Sequence, residues 1–238
     1  MGKKILYIFP HPDDESFGPA PAISAQLGQG HEVYLLTLTR GEATKQRHRL
    51  GISKEEMGQI RYEEMLCVEK TLGLSGMTVL NLPDSELKHM EPRKIEDSIE
   101  EEIKKIEPDV IVTYAVHGVS GFHDHLVCHA VVKNLFCRMK QKGGYHPARL
   151  ALFTRMGDTY TKGKFMLSAS TDEEIAYIEE CSTEDMKAFH NALDCYETYQ
   201  QVIEDSHVKE LTTNQVPFEI FDESYSEPLA SLTDRLPE

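Results

Sequence analysis

Two short segments of the sequence concentrate side chains that bind metal ions and transfer protons. The first has the sequence HPDDE at residues 11–15, and the second has the sequence HGVSGFHDH at residues 117–125. Imidazole nitrogens and carboxylate oxygens are ligands of catalytic zinc sites, in which three protein ligands leave one position open for water. A neighbouring carboxylate can accept a proton from that water. The two segments together therefore predict a catalytic metal centre.

The first segment follows an apolar run, ILYI at residues 5–8, which is typical of a strand buried on both faces. In open α/β sheets, ligands bind at the carboxyl ends of such strands. Pro12 keeps the preceding residue extended, so that His11 and Asp14 can converge across a tight turn. The alternative is that the carboxylates at residues 13–15 cap the next helix, where the helix dipole favours acidic groups.

The second segment also follows a predicted strand, so both segments belong at the same edge of the sheet. Gly118 and Gly121 permit a close approach of the backbone, as a loop that faces a substrate requires. A metal centre shared by the two segments has His11, Asp14 and His125 as its three predicted protein ligands. Asp13 is then the predicted general base, and Asp124 is predicted to orient a nearby imidazole.

The order of apolar runs and helical patterns predicts an α/β fold. We expect a Rossmann-like, mostly parallel sheet flanked by helices, with an antiparallel C-terminal extension. The predicted strands are residues 5–8, 32–39, 77–82, 109–114, 150–154, 166–170 and an antiparallel edge strand at 216–221. The predicted helices are residues 19–29, 53–73, 92–106, 126–139 and one long helix at 183–203. We expect a single domain at residues 1–223 and a polar C-terminal tail at residues 224–238.

The composition of the chain argues against some classes of binding partner. The 238-residue chain has a formal net charge of −15, which argues against nucleic acid and anionic membrane surfaces as partners. Its five cysteines are odd in number and form no C-x-x-C pair, so neither a disulfide framework nor a zinc ribbon is predicted. No apolar run reaches the length of a membrane span. We expect a soluble cytoplasmic protein with reduced thiols.

The motifs resemble those of the PIG-L/LmbE-like zinc-dependent N-deacetylases. The family motif (A/P)HPDDE is matched at residues 10–15, and the motif GHPDH is matched in part at residues 121–125. Weaker similarities are TxGE at residues 39–42, the RxxE helix at residues 61–64 and the LPD turn at residues 82–84. The FHDH variant is most similar to the bacillithiol-pathway deacetylases of Gram-positive bacteria, which remove acetate from N-acetylglucosaminyl malate.

The resemblance implies a role for each matched residue. It implies zinc on His11, Asp14 and His125, with Asp13 as the general base. Iron(II) is the alternative metal, because histidine and carboxylate ligands suit both ions. The resemblance also implies that substrate-binding residues lie at the weaker motifs, and these are Arg61, Arg40, Glu42 and Asp84.

The sequence departs from the family motif at the position where the family has its general acid. The family places a histidine three residues before the last metal ligand, and here that position is Phe122. We expect His123 to act as the general acid, because Asp124 and His125 hold it close to the metal. His117, further upstream on the same loop, is the alternative.

The resemblance implies a hydrolase that removes the acetyl group from a small N-acetylglucosamine-type substrate. The expected substrate is N-acetylglucosaminyl malate in bacillithiol biosynthesis, and we expect the enzyme to be a homo-oligomer. A deacetylase for another N-acylated amine is an alternative. A zinc-bearing sugar- or metabolite-binding module without turnover is another, because Phe122 replaces the acid. A metal-dependent phosphohydrolase is the third, although the sequence contains no Walker loop.

Overall fold

The structure is a computed structural model that describes residues 2–162 and 165–237. Its strands are β1 (Lys4–Phe9), β2 (Glu32–Thr39), β3 (Gly76–Leu82), β4 (Val110–Tyr114), β5 (Arg149–Phe153), β6 (Tyr160–Lys162), β7 (Phe165–Leu167), β8 (Tyr177–Glu180) and β9 (Gln215–Ile220). Its α-helices are α1 (Ala20–Gly28), α2 (Gln46–Leu50), α3 (Lys54–Leu72), α4 (Pro92–Ile106), α5 (His123–Lys142), α6 (Thr183–Asp194), α7 (Gln200–Ser206) and α8 (Val208–Leu211). Short 3₁₀ turns lie at Leu87–His89 and Glu197–Tyr199.

Seven of the strands form one sheet in the order β3-β2-β1-β4-β5-β9-β8. The first five strands of this order are parallel, and β9 is antiparallel to both of its neighbours, β5 and β8. The predicted α/β fold with an antiparallel C-terminal extension is therefore confirmed. The chain leaves β1 towards β2 on one side and later returns to β4 on the other. This reversal forms the crevice at strand ends in which α/β proteins bind ligands.

Both faces of β1 are buried, because its side chains alternate between two apolar clusters. Tyr7 and Phe9 pack in a cluster with side chains of α1, α3 and α6, such as Ile23. Leu6 and Ile8 pack in the opposite cluster with side chains of α4 and α5. The uninterrupted apolar run therefore fixes β1 in the centre of the sheet, and its carboxyl end carries the HPDDE segment.

The helix α3 has the ends that the sequence predicts. Ser53 accepts a hydrogen bond from the backbone of Glu56, whose side chain accepts one from Ser53 in return. Gly73 ends the helix with a left-handed φ of 71°. This capping-box helix brings Arg61 to the edge of the sheet that carries the site.

The single long helix predicted at residues 183–203 is wrong. The helix α6 ends at Asp194, and Tyr196 leaves helical geometry with φ −87° and ψ 68°. The side chain of Tyr196 is fully buried, and its hydroxyl contacts Asp13 and Glu15. This burial requires the chain to turn inward, which breaks the helix. The apolar spacing nevertheless continues across the break.

The edge strand predicted at residues 216–221 lies inside the sheet. The observed strand β9 pairs with β5 on one side and with β8 on the other. The sequence prediction missed β8, whose four residues are too few for a clear alternation of apolar and polar side chains. The strand predicted at 166–170 is the shorter β7, which pairs with β6 in a separate hairpin.

The segment predicted as a polar tail packs against the sheet over its described residues. Leu229 and Leu232 are buried in an apolar cluster. Arg149 at the start of β5 donates to the carbonyl of Leu232 at 2.5 Å and forms an ion pair with Glu223 at 3.0 Å. These contacts hold residues 223–232 on the molecule.

A disulfide joins Cys67 on α3 to Cys195 just after α6. The expectation of reduced thiols without a disulfide is therefore wrong for this pair. The two cysteines are 128 residues apart, but α3 and α6 pack together and bring their Cα atoms to 5.7 Å. Sequence spacing cannot reveal such a pair. Cys128, Cys137 and Cys181 are free thiols.

Over residues 2–162 and 165–237, no helix is both long enough and apolar enough to span a lipid bilayer.

Candidate active site

Three side chains from the two segments converge at the carboxyl ends of β1 and β4. These are His11 and Asp14 from the loop after β1, and His125 from the first turn of α5. Their ligand atoms all lie within 4.8 Å of one another. The carboxylates of the first segment do not cap the next helix, because α1 begins at Ala20 without a side-chain cap.

The spacing of these atoms fits a divalent metal ion. Nδ1 of His11 lies 3.5 Å from Oδ2 of Asp14, and Nε2 of His125 lies 3.2 Å from Oδ1 of Asp14. Ligands about 2.1 Å from a tetrahedral zinc ion are separated by about 3.4 Å. Two imidazoles and one carboxylate are also a donor set of the catalytic zinc type. The three residues therefore have the chemistry and the spacing of a metal site.

The backbone fixes the orientation of His125. Its Nδ1 atom donates to the carbonyl of Gly118 at 2.9 Å and lies 3.1 Å from the hydroxyl of Ser120. This leaves Nε2 as the nitrogen with a free lone pair, which is the arrangement of a metal ligand. Gly118 has a φ of 64°, and a Cβ atom there would lie 2.8 Å from the Cβ of His125. A side chain at position 118 would therefore displace His125.

Asp14 is held as a carboxylate. Its Oδ1 accepts a hydrogen bond from the hydroxyl of Tyr114 at 2.8 Å, and its Oδ2 accepts one from the backbone of His11 at 2.8 Å. Burial alone raises the pKa of Asp14, but the adjacent imidazoles of His125 and His11 outweigh it. The pKa therefore lies far below its usual range. An ionised carboxylate is the form that binds a cation.

Asp13 lies beside this group in a strained backbone conformation. Its φ is 90°, which is rare for a residue other than glycine and is typical of functional sites. Its backbone NH donates to the hydroxyl of Tyr196 at 2.9 Å, and that hydroxyl donates to Glu15 at 2.6 Å. Burial raises the pKa of the Asp13 carboxyl to about 7, and the adjacent Arg61 opposes the rise.

Arg61 on α3 holds the loop that carries Asp13. Its Nη2 atom donates to the carbonyl of Pro12 at 2.6 Å and to Oδ2 of Asp13 at 3.0 Å. The guanidinium lies 3.7 Å from the centroid of the Tyr199 ring. Only 1% of Arg61 is exposed, and its Nε and Nη1 atoms have no partner within the described residues. Arg61 therefore holds Asp13 and leaves two donors in the cavity wall.

The second ring nitrogen of His11 faces two further carboxylates. Its Nε2 atom lies 3.3 Å from Oδ2 of Asp124 and 3.4 Å from Oδ1 of Asp84. Burial lowers the pKa of His11, but the hydrogen bonds to Asp124 and Asp14 outweigh it and raise the pKa well above its usual value. His11, Asp84 and Asp124 form a second group of potential metal ligands that shares His11 with the first group. Asp124 is thus placed where it can orient the imidazole of His11.

The other predicted substrate-binding residues, Asp84, Glu42 and Arg40, do not all line the cavity. Asp84 lines the cavity at the metal site, and its Oδ2 accepts from the backbone of Ala43 at 2.7 Å. Glu42 lies behind Asp84 and accepts from the Asp84 backbone at 2.9 Å. Arg40 stacks on the ring of Tyr62 at 4.7 Å and is not among the described residues that line the cavity.

Neither of the two predicted acid candidates is among the described residues that line the cavity. His123 is exposed on the first turn of α5. His117 is half-buried, where its ring contacts the hydroxyls of Thr154 at 3.2 Å and Ser170 at 3.3 Å. Phe122 lines the cavity in their place, edge-on to His125 with ring centroids 5.5 Å apart. Among the described residues that line the cavity, the imidazoles are those of His11 and His125.

A cavity of about 410 Å³ opens beside the candidate ligands. This volume lies in the range of small-molecule binding sites. Tyr114, Tyr196 and Tyr199 contact the residues of the site, yet the sequence analysis singled out none of them. Tyr114 ends a strand predicted to be buried, and the other two tyrosines lie in the region that was predicted as a continuous helix. No sequence signal distinguished these tyrosines from core residues.

The chain is similar to known proteins in both sequence and fold. A family profile described as PIG-L: GlcNAc-PI de-N-acetylase matches residues 6–136, which is more than half of the 238 residues. The chain belongs to the PIG-L family. The match to the PIG-L profile contains both metal-ligand segments, α3 with Arg61, and Asp84. The match ends before β5, so the cavity-lining residues from Phe153 onwards lie outside the matched part of the chain.

One curated relative and two solved structures illustrate the PIG-L similarity. The chain is 31% identical over 144 residues to "Probable N-acetyl-alpha-D-glucosaminyl L-malate deacetylase 2" of Bacillus subtilis (strain 168), covering 59% of this chain and 64% of the relative. The chain thus spans less than two thirds of the length of the curated relatives it matches.

The solved structures establish the fold over nearly the whole chain. The N,N'-diacetylchitobiose deacetylase of Pyrococcus horikoshii superposes with a TM-score of 0.63 at 18% identity, covering 92% of this chain and 84% of that one. The 4-carboxy-2-hydroxymuconate hydratase of Pseudomonas putida superposes with a TM-score of 0.67 at 13% identity, covering 96% and 100%. Because a hydratase shares the fold, function must be argued from the site.

Proposed function

We propose that the protein is a zinc-dependent N-deacetylase that releases acetate from an N-acetylglucosamine-type substrate. The observation that carries the proposal is that Asp13 lines the same cavity as the group formed by His11, Asp14 and His125. A metal-ligand group of this composition beside a carboxyl near neutral pKa is what amide hydrolysis by water requires. The PIG-L match and the relative in Bacillus subtilis support the same chemistry.

His11, Asp14 and His125 would hold the metal ion. Bound there, zinc supplies Lewis acidity towards a carbonyl oxygen and lowers the pKa of water, and iron(II) is the alternative ion. Tyr114 and the carbonyl of Gly118 keep the Asp14 carboxylate and the His125 ring in the orientation that binding needs. These residues position the ion and take no proton in the reaction.

Asp13 transfers the protons in the proposed reaction. Its carboxylate accepts a proton from the attacking water at an Oδ atom, and the same carboxyl returns that proton to the leaving amine. We assign both steps to Asp13 because His123 is exposed and His117 is engaged by Thr154 and Ser170. A carboxyl with a pKa of about 7 both accepts and donates a proton near neutral pH.

Polar groups beside the metal site would bind the sugar. Asp84 and Ser85 line the cavity and supply carboxylate and hydroxyl groups for sugar hydroxyls. The unpartnered Nε and Nη1 atoms of Arg61 supply donors to a substrate oxygen, such as a malate carboxylate. Arg40 stacks on Tyr62 and Glu42 supports Asp84, so we assign both a supporting role.

The proposed substrate is N-acetylglucosaminyl malate, in bacillithiol biosynthesis. The similarity to the probable N-acetyl-alpha-D-glucosaminyl L-malate deacetylase 2 of Bacillus subtilis supports this substrate. We further propose that the enzyme acts in the cytoplasm as a homo-oligomer on this small molecule, and that it binds neither nucleic acid nor membrane. The net charge of −15 supports the last point, because it repels polyanionic surfaces.

The test is amine release from N-acetylglucosaminyl malate and from N-acetylglucosamine by zinc-loaded protein, with His125→Ala as control. The proposal expects release from the malate conjugate that is lost in the variant. Bound zinc without amine release from any N-acyl sugar would favour a binding module over an enzyme. Hydrolysis of a chromogenic phosphate ester alone would favour a phosphohydrolase.

A further inference from the structure

The residues that line the cavity form two groups of opposite polarity, which we call the polar arm and the apolar arm. The polar arm is lined by residues of α3, the loops after β2 and β3, and the 3₁₀ turn after α6: Gly41, Thr44, Arg61, Asp84, Ser85 and Tyr199. The apolar arm is lined by residues of the loop after β4, of β5 and β9, and of α7 and α8: Val119, Phe153, Val202, Val208, Leu211 and Val216.

The order of the sheet separates the two arms. Strands β2 and β3 lie on one side of β1, and β5 and β9 lie on the other side of β4. Two metal ligands follow β1 and the third lies in the first turn of α5, after the β4 loop, so they lie between the arms. The chain from Tyr199 through α7 and α8 to β9 runs across the site, since Tyr199 stacks on Arg61 and β9 pairs with β5.

An aromatic wall leads from the metal ligands into the apolar arm. The ring of Tyr114 stacks on His125 with centroids 4.3 Å apart. Phe153 lies 6.0 Å from Tyr114 and 6.3 Å from Phe218. Phe153 also packs against Gly18, where a Cβ atom would lie 2.6 Å from its ring. The arm therefore begins directly at a candidate metal ligand.

Polar side chains at the apolar end, such as those of Thr154 and Thr213, are already bonded within the protein. Thr154 bonds to Ser170 at 2.5 Å, and Arg155 donates to the carbonyl of Leu167 at 3.3 Å. Thr213 donates to the carbonyl of Gln215, whose side chain donates to Glu180. In the polar arm, by contrast, Arg61 leaves two buried donors unpartnered within the described residues.

We propose that the apolar arm binds the acyl chain of the substrate, and that the protein cleaves amides with acyl chains longer than acetyl as well as the acetyl amide. The inference rests on the proposed amide hydrolysis. An amide whose carbonyl lies at the metal site extends in two directions, towards the amine and towards the acyl carbon. The sugar on the amine side fits the polar arm, with its hydroxyl partners. The acyl side is then left with the apolar arm, where each buried methylene strengthens binding by roughly fourfold.

The proposal identifies specificity residues outside the part of the chain that matches the PIG-L profile. That match ends at residue 136, whereas Phe153, Val202, Val208, Leu211 and Val216 all follow it. The metal ligands and all residues of the polar arm except Tyr199 lie in the matched part. Relatives that share the chemistry can therefore differ in acyl length through this second half of the cavity.

The test compares kcat/KM for glucosamine carrying N-acetyl, N-butanoyl, N-hexanoyl and N-octanoyl groups. We expect kcat/KM to rise roughly fourfold for each methylene until the arm is filled. Val202→Trp narrows the arm and should lower the ratio of octanoyl to acetyl kcat/KM at least tenfold. The matched control is Glu204→Trp, which places the same bulk on the exposed side of α7 and should leave the ratio unchanged.

A second substrate series and a binding measurement distinguish failure of this inference from failure of the proposed function. Hydrolysis of N-acetyl but not of longer N-acyl sugars would overturn this inference and leave the proposed function standing. A gain with the octyl glycoside of N-acetylglucosamine, but not with N-octanoyl glucosamine, would overturn it by placing the aglycone in the arm. Calorimetric binding of octanoate and acetate tests the arm without turnover, and equal affinities would overturn the inference even if no amide is cleaved.

Discussion

The Nη2 atom of Arg61 lies 3.0 Å from Oδ2 of Asp13, and the same atom donates to the carbonyl of Pro12 at 2.6 Å. One buried guanidinium therefore holds both the side chain of the proposed base and the backbone that precedes it. The ring of Tyr199 covers the guanidinium at 3.7 Å. The position of α3 thus controls the position and the ionisation of Asp13.

Replacement of Arg61 should shift the pH dependence of the reaction. The positive charge of Arg61 lowers the pKa of Asp13, against the larger effect of burial that raises it to about 7. Removing this charge in Arg61→Gln raises the pKa further, and the base is ionised only above its pKa. The acid limb of kcat/KM against pH should therefore move to higher pH, with about tenfold lost at a fixed acidic pH for each unit.

The Arg61→Lys variant is the control for this pH profile. It keeps a positive charge but loses the planar pair of contacts, so its acid limb should move less than that of Arg61→Gln. Acid limbs that coincide for wild type and Arg61→Gln would show that the charge of Arg61 does not act on the catalytic group.

Metal binding should depend on His125 and not on His123. The two imidazoles are neighbours on α5, but His125 is 5% exposed and contacts Asp14, whereas His123 is exposed. A metal that binds the native state stabilises it by an amount that grows with the logarithm of its concentration relative to its Kd. A chelator should therefore lower the Tm of wild type and of His123→Ala and leave the Tm of His125→Ala unchanged.

The same pair of variants tests the assignment of the general acid. If Asp13 returns the proton, His123→Ala should retain kcat within about threefold, because a positioned acid contributes roughly 10²–10⁴-fold. A loss of more than a hundredfold in His123→Ala with its metal content intact would make His123 the acid.

The disulfide should stabilise the packing of α3 on α6. Cys67 and Cys195 close a large loop, and such a cross-link typically contributes about 2–4 kcal/mol to the free energy of unfolding. Cys67→Ser should lower the urea midpoint under non-reducing conditions, whereas Cys137→Ser, which removes a free thiol, should change it little. Identical midpoints for wild type with and without reductant would contradict a stabilising disulfide.

Local signals predicted the fold and the convergence of the candidate ligands. The apolar run at residues 5–8 and the strand at residues 109–114 placed both segments at one sheet edge, and His11, Asp14 and His125 meet there. This prediction succeeds because parallel strands with helical crossovers all end at the same edge.

Long-range packing determined what the sequence could not predict. Tyr196 lies 183 residues from Asp13, and its contact with the Asp13 backbone depends on the break between α6 and α7. The apolar spacing around that break resembles a continuous helix, so the break was missed. The Cys67–Cys195 disulfide likewise depends on how two helices pack. The apolar arm is assembled from five elements and has no local pattern.

The measurement that tests the central claim most directly is the rate of amine release by Asp13→Asn at full metal occupancy. Asparagine is close in size to aspartate but cannot accept the proton from water at neutral pH. The account predicts that kcat falls roughly 10²–10⁴-fold while the metal content stays equal to that of wild type. Full turnover by the metal-loaded variant would contradict the account, because the proton would then be transferred by another group.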